Sequence, residues 1–248
     1  NIIVNTTDKG TVRLILNNAS ISNTTTAPIK VLDAKKVILT LADNTTNTIT
    51  DSSRLSTEED YSAAIYSKED LIINGNGTLN VNAGYRNGIK STDDCIIVSG
   101  TLNITSTEDG IIGKDLCGIV AGDININAGS DGVKSTYDTD TTKGNVIIEG
   151  GNITVKASND GIQAENILVI NDGTINIKTN NGAADTTQTH TDNMYMGRGG
   201  FGFNNNKTTT TTDDTAESRK GIKAGNMLII NDGDITIDSD DDSVHCNS

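Results

Sequence analysis

Aspartates recur in this chain at intervals that would bring their carboxylates together. Asp109, Asp131 and Asp160 each precede a glycine, and they lie 22 and 29 residues apart. Carboxylates held about one strand spacing apart, roughly 4.8 Å, repel one another unless a cation neutralises them. Calcium is a cation that binds carboxylate oxygens together with turn carbonyls. The spacing therefore predicts that these three residues, called the D-G column below, bind Ca²⁺.

A second acidic column follows at two adjacent repeat positions. Its members are Glu69 and Asp70, then Asp93 and Asp94, then Asp115. We predict Asp93, Asp94 and Asp115 as further calcium ligands, with Asp138 and Asp140 as candidate oxygen donors from a nearby insert. Both columns also have a structural interpretation, because Asp and Asn favour turns in which the side chain bonds the backbone.

A row of outward residues, most of them lysines, recurs beside the D-G column. The candidates in this lysine row are Tyr66, Lys90, Lys134 and Lys223. An ammonium group next to calcium suits an acidic polysaccharide, because some sugar carboxylates pair with lysine while others bridge to the metal. We therefore predict these four residues as carbohydrate-binding. The open alternative is that the lysines only neutralise the neighbouring aspartates.

These columns depend on a repeat of 22 residues, seen from Gly88 to Gly110 and on to Gly132. Inserts at 137–143 and 182–219 lengthen two later intervals to 29 and 60 residues. A period of this size is typical of a solenoid, in which each coil buries its apolar side against its neighbours.

Each coil carries three pairs of apolar residues, and the members of a pair are two positions apart, as expected for a short strand with one face inward. A second glycine column falls at a turn and predicts positive φ. It comprises Gly100, Gly122, Gly151, Gly173 and Gly233. We predict an all-β fold, a right-handed parallel β-helix with three strands per coil and coils of 22 residues.

The repeat also divides the chain. We predict a single β-helix domain over 1–248, with N-terminal coils and a cap in 1–62 and regular coils in 63–181. The segment 182–219 is rich in Gly and Thr and predicts a flexible insert. The last coils occupy 220–248 and end in an incomplete, apparently truncated coil.

Composition limits the partners. The net charge of −14 and the pI of about 4.4 argue against nucleic acid, whose phosphates favour basic surfaces. No stretch reaches the ~18 apolar residues that a membrane span requires. Cys95 and Cys117 share a repeat position and are expected to be buried free thiols, with a Cys95–Cys117 disulfide as the alternative in an oxidising setting.

Three phrases of the chain resemble a known family: AAIYSKEDLIINGNGTLNV, NGIKSTDDCIIVSGTLNI and EDGIIGKDLCGIVAGDININA. They are similar to a bacterial family of polysaccharide-lyase-like right-handed parallel β-helix proteins that bind carbohydrate. The resemblance implies binding of cellulose and acidic sugars such as polygalacturonate, without cleavage. It also implies Ca²⁺, with the D-G column supplying ligands, and an extracellular or cell-surface location on plant cell-wall polymers.

Two other functions stay open at this point. One is a calcium-dependent, pectate-lyase-like enzyme that uses Lys90 or Lys134 as its base. The other is a structural filament or adhesin, formed if the open C-terminal coil stacks on another molecule. The oligomeric expectation is accordingly a monomer or an end-to-end association.

Overall fold

A computed structural model describes residues 1–6, 10–52, 61–182 and 218–247 of the 248-residue chain. The expected flexible insert therefore lies almost wholly outside the described residues. The described ranges contain 25 strands and no helix, so no helix there is long and apolar enough to cross a membrane.

The strands form three parallel sheets, and successive strands pass from one sheet to the next. Sheet A has nine strands: β1 Ile2–Asn5, β4 Ile29–Asp33, β7 Ala63–Ser67, β10 Asn87–Ser91, β13 Ile111–Gly113, β16 Val133–Lys134, β19 Ile162–Ala164, β22 Ile222–Ala224 and β25 Val244–Cys246. Sheet B has eight: β2 Thr11–Leu16, β5 Lys36–Leu41, β8 Asp70–Gly75, β11 Asp94–Ile97, β14 Leu116–Ile119, β17 Asn145–Ile148, β20 Ile167–Ile170 and β23 Met227–Ile230. Sheet C also has eight: β3 Ser20–Asn23, β6 Thr46–Asp51, β9 Thr78–Ala83, β12 Thr101–Ser106, β15 Asp123–Ala128, β18 Asn152–Ala157, β21 Thr174–Thr179 and β24 Asp234–Asp238.

This arrangement is the predicted right-handed parallel β-helix with three strands per coil. The register follows the repeat, since Ile89 pairs with Ile111 and Ile111 with Val133. Equivalent residues of successive coils therefore lie side by side, about 4.8 Å apart.

The core is a narrow stack of aliphatic side chains. In β15, β18 and β21 buried and exposed residues alternate strictly, so one face of each strand points inward. Leu102 and Ile104 lie beside Ile124 and Ile126, and each of these side chains is almost fully buried. Burial of such residues stabilises the fold by about 0.8 kcal/mol per CH₂ group.

The two glycine columns serve different purposes. The second column has the predicted positive φ, for example 111° at Gly100 and 116° at Gly122. The first column is required by close approach: a Cβ at Gly110 would lie 2.5 Å from the carbonyl oxygen of Gly132 and 2.5 Å from Cγ2 of Ile126. The same residue type thus marks a turn in one column and a tight inter-coil contact in the other.

Candidate functional site

The D-G column is aligned along the helix, as its spacing predicted. It begins at Asn87, whose Oδ1 accepts the backbone N–H of Asp109 at 3.0 Å. In the same way, Asp131 donates its N–H to Asp109 at 3.0 Å and Asp160 donates to Asp131 at 2.9 Å. The N–H of Lys220 completes the ladder by bonding Asp160 at 2.7 Å. One carboxylate oxygen per residue is therefore occupied by the next coil.

Lysines occupy the second oxygens of the two buried members. Oδ2 of Asp131 accepts from Nζ of Lys134 at 2.5 Å, and Oδ2 of Asp160 lies 3.4 Å from Nζ of Lys223. Both residues are buried, with exposures of 4% and 1%. Backbone donors and the lysines together supply the positive charge that the spacing had led us to assign to calcium. The donor set of Asp131 and Asp160 does not fit Ca²⁺ and agrees instead with the structural interpretation.

The protonation equilibria reflect this burial. Burial raises the pKa of the Asp131 carboxyl, although Lys134 acts in the opposite direction. Burial lowers the pKa of Lys134, but Asp131 more than reverses this effect, so the pKa lies above its ordinary value. The raised pKa of the lysine is the direction expected for a formed ion pair.

Asn87 and Lys220 are explained by the same ladder. The sequence suggested that they interrupt the D-G column, because neither is an acid. The first position needs only a side-chain oxygen, which Asn87 supplies, and the last needs only a backbone N–H, which Lys220 supplies. They are the two ends of the ladder.

A different arrangement occurs in the turns that join sheets A and B. Asp93 lies in the turn before β11, while Asp70 and Asp94 begin β8 and β11. Oxygen atoms of these three half-buried residues lie within 4.8 Å of one another. Among the described residues, none of the three forms a salt bridge with a lysine or arginine. We call Asp70, Asp93 and Asp94 the acidic turn cluster.

Burial and the crowding of like charges raise the pKa values of Asp93 and Asp94 in this cluster. Burial, followed by the carboxylates of Asp70 and Asp115, raises the pKa of Asp93 to about 6. The pKa of Asp94 is also raised, first by burial and then by Asp70. A divalent cation would relieve this repulsion, and three carboxylates at such separations fit the oxygen ligands that Ca²⁺ binds. The cluster therefore fits calcium, whereas Asp131 and Asp160 of the D-G column do not.

Asp115, the third predicted ligand of the second column, has another partner. Lys143 of the 137–143 insert donates from Nζ to its Oδ2. Nζ of Lys143 also lies 5.0 Å from the centre of the Tyr137 ring. Asp140, expected to offer oxygen ligands, instead accepts bonds from Thr142. The insert thus brings an ammonium group, not further carboxylates, to the border of the cluster.

The lysine row is aligned but largely occupied. Lys90 pairs in register with Ile112, which pairs with Lys134, and Gln163 pairs with Lys223. Lys134 and Lys223 bond the D-G column, as the neutralisation alternative proposed. Lys90 donates to Oγ of Ser62 at 3.2 Å, and burial lowers its pKa.

Tyr66 requires a correction as a sugar-stacking residue. Its exposure is only 5%, and its ring packs edge-on against Tyr61 with centroids 5.4 Å apart. Alternation along β7 placed it correctly on the outer face of sheet A. The sequence did not indicate that Tyr61, just before that strand, would pack against the ring and leave it without an open face.

The outer face of sheet C carries two rows of polar residues. Its first row is an amide ladder in which Asn103 donates to Asn80 at 2.9 Å and Asn125 donates to Asn103 at 3.1 Å. A second row lies two residues further along each strand and was missed. It comprises Thr105, Asn127 and Lys156. The signal was present, since strand alternation extends the outward pattern to these positions.

Fold and surfaces together define a β-helix of the polysaccharide-lyase-like kind. A solved structure described as the gadolinium derivative of the polysaccharide lyase-like protein from C. thermocellum matches with a TM-score of 0.69 and 33% identity. The match covers 72% of this chain and 74% of that chain.

The chain belongs to the family described as carbohydrate-binding domain-containing protein, whose family model matches residues 1–248. A family relative from Acetivibrio thermocellus is 39% identical over 95 residues. That alignment covers 37% of this chain and 33% of the relative, so the matched region spans about a third of the relative's length.

Proposed function

We propose that this chain is an extracellular, calcium-binding, non-catalytic protein that binds plant cell-wall polysaccharides, namely cellulose and acidic sugars such as polygalacturonate. Membership of a carbohydrate-binding family supports the general activity. The observation that carries the calcium proposal is the acidic turn cluster, where oxygens of three carboxylates lie within 4.8 Å of one another and, in the part of the chain that the structure describes, form no salt bridge. In this proposal Asp70, Asp93 and Asp94 hold the ion.

Calcium has a defined chemical part in this function. When bound, it neutralises the cluster and leaves coordination positions for the carboxylate of an acidic sugar. Lys90 is the lysine of the lysine row that does not bond the D-G column, so it is the one available to pair with such a ligand. Lys134 and Lys223 hold the aspartates and serve the fold.

Retention on insoluble polysaccharide tests the proposal. The protein is incubated with cellulose and with polygalacturonate gel, in calcium and in chelator, and the bound fraction is measured. We expect binding to both polymers and weaker binding to polygalacturonate after chelation. If the protein binds neither cellulose nor polygalacturonate, with or without calcium, the proposed function is refuted.

A pair of variants isolates the metal. Asp93→Asn removes a cluster ligand, whereas Asp172→Asn makes the same charge change at an exposed turn where an amide still bonds Gly173. In isothermal titration calorimetry, the heat of calcium binding should disappear in Asp93→Asn and remain in Asp172→Asn. Equal titrations in both variants would remove the acidic turn cluster from the proposal.

A second candidate is a calcium-dependent polysaccharide lyase with Lys90 as base. The favouring observation is that burial lowers the pKa of Lys90, which increases the neutral fraction that can accept a proton. Lys134 does not suit this role, because Asp131 holds it in its charged form. Growth of unsaturated product with time on polygalacturonate, abolished by Lys90→Gln, would establish this activity; a constant ultraviolet absorbance would exclude it.

A further inference from the structure

We propose that an acidic polysaccharide binds in a groove on the outer face of sheet C, with the sugar chain parallel to the helix axis. Its hydroxyl groups bond Asn103, Asn125 and Asn127, and a uronate carboxylate pairs with Lys156. This inference rests on the proposed carbohydrate binding but does not require the calcium site.

The groove is formed by the two outward rows of β12, β15 and β18. It has a volume of about 280 Å³. Its polar lining comprises Asn103, Thr105, Asn125, Asn127, Thr154 and Lys156, all of them exposed. Ile104 and Ile126 lie between the rows, and their side chains point into the core. The floor is therefore sheet backbone, and the walls are amide, hydroxyl and ammonium groups.

These walls offer unused hydrogen-bonding groups. Asn103 uses one N–H and its oxygen within the amide ladder, which leaves its second N–H for a ligand. Asn127, Thr105 and Lys156 form no side-chain hydrogen bond or ion pair with any part of the chain that the structure describes. Donors, acceptors and a charge are consequently available at neighbouring coils.

Among the described residues, the other two faces offer less of this chemistry, although Lys90 on sheet A donates only to Ser62. On sheet A, Lys134 and Lys223 are bound to aspartates. On sheet B, the outward positions of the middle coils that lie in register are apolar, namely Ile72, Ile96, Gly118 and Ile147. In sheet C, strands β12, β15 and β18 expose outward polar groups in two parallel rows.

The geometry favours an extended chain of 1,4-linked sugars. Coils repeat at about 4.8 Å, a distance comparable with the length of one sugar residue in such a chain, so each sugar would meet an equivalent set of side chains. The groove lining contains no aromatic residue, and binding would therefore depend on hydrogen bonds and charge, not on ring stacking.

Lys156 selects an acidic ligand. The chain carries a net charge of −14, and the ammonium group of Lys156 is exposed and has no carboxylate partner among the described residues. The next lysine in this row, Lys178, pairs with Asp238 at 2.8 Å. A uronate is the sugar whose charge would complement Lys156.

Matched charge reversals test the inference. Lys156→Glu is compared with Lys68→Glu, which alters an exposed lysine that has no ion pair in the described structure and lies in the turn between sheets A and B. Affinity for oligogalacturonate is measured by calorimetry in chelator at low salt. We expect about a five- to tenfold loss for Lys156→Glu, as for an exposed ion pair replaced by repulsion, and less than twofold for the control.

A second variant tests the hydrogen bonds. Asn127→Leu removes the amide at an exposed position, where no internal bond is lost and folding should be unaffected. We expect weaker binding of oligogalacturonate, and in the wild type a shift of the side-chain NH₂ resonances of Asn103, Asn125 and Asn127 on titration.

The outcomes separate this inference from the proposed function. Wild-type protein that binds neither cellulose nor polygalacturonate refutes the proposed function. If the wild type binds polysaccharide and both Lys156→Glu and Asn127→Leu bind as tightly as Lys68→Glu, the groove on sheet C is not the binding site, and the proposed function stands. A loss in Asn127→Leu but not in Lys156→Glu would show that the groove binds the sugar chain without reading its carboxylate, and would overturn the role given to Lys156.

Discussion

The D-G column and the acidic turn cluster consist of the same residue type at related repeat positions, yet their chemistry differs. In the D-G column each aspartate accepts a hydrogen bond from one backbone N–H of the next coil, and Asp131 and Asp160 also bond lysines. In the cluster, carboxylates face other carboxylates, and the pKa of Asp93 rises to about 6. Stacking alone therefore does not make a metal site; what matters is whether the protein already supplies the counter-charge.

The largest expected effect belongs to Asp131. Replacement with Ala leaves the N–H of Asp160 without its acceptor and Lys134 without its counter-ion. We expect a loss of about 2–4 kcal/mol in the free energy of unfolding, equal in calcium and in chelator. Denaturant unfolding in both buffers measures it.

Asp131→Asn is the matched control, because the amide oxygen can still accept the bond from Asp160. It should cost about 1 kcal/mol, or roughly 2–4 °C in Tm for a chain of this size. A loss that appears only in calcium would restore the D-G column as a metal site.

Calcium should stabilise the folded protein through the acidic turn cluster. A ligand present at about 100 times its Kd adds roughly 2.7 kcal/mol, and Asp93→Asn should remove most of that gain. Thermal unfolding with and without calcium checks the prediction. An undiminished calcium effect in this variant would place the ion elsewhere.

The cluster should also give stability a distinctive pH dependence when no metal is present. The folded pKa of Asp93, about 6, lies above the ordinary value of 3.8, so between these values the folded state binds more protons than the unfolded state. Asp93 therefore disfavours folding increasingly as the pH rises from about 4 to 6. The free energy of unfolding of the wild type is compared with that of Asp93→Asn in chelator. The difference, wild type minus variant, should fall as the pH rises from about 4 to 6. Calcium should reduce this fall.

The smallest expected effect concerns Lys143, which neutralises Asp115 at the border of the cluster. Lys143→Gln increases the local negative charge, so calcium should bind slightly more tightly while metal-free stability falls by up to about 1 kcal/mol. Calcium affinity and metal-free Tm are compared with the wild type. Weaker calcium binding would mean that Lys143 does not oppose the ion.

The fold was predictable because the repeat length encodes the register. A spacing of 22 residues set the pairing of Ile89 with Ile111, and glycines at equivalent positions set the turns. The same reasoning aligned the D-G column and the lysine row correctly. Aligning the repeats of one chain with one another is enough to establish which residues occupy equivalent positions.

The contents of each site were less predictable. Spacing does not show that Asp131 will use both its oxygens within the protein, or that an insert will direct Lys143 toward Asp115. The burial of Tyr66 depends on Tyr61, which lies outside the repeat. These contacts are set by side-chain conformations, which a column of residue types does not contain.

Anomalous diffraction from crystals grown in calcium, or soaked with a lanthanide, locates the ion directly. The account predicts a peak about 2.3–2.6 Å from carboxylate oxygens of Asp70, Asp93 and Asp94, and none at the D-G column. A peak coordinated by Asp109, Asp131 or Asp160, with Lys134 displaced, would contradict it.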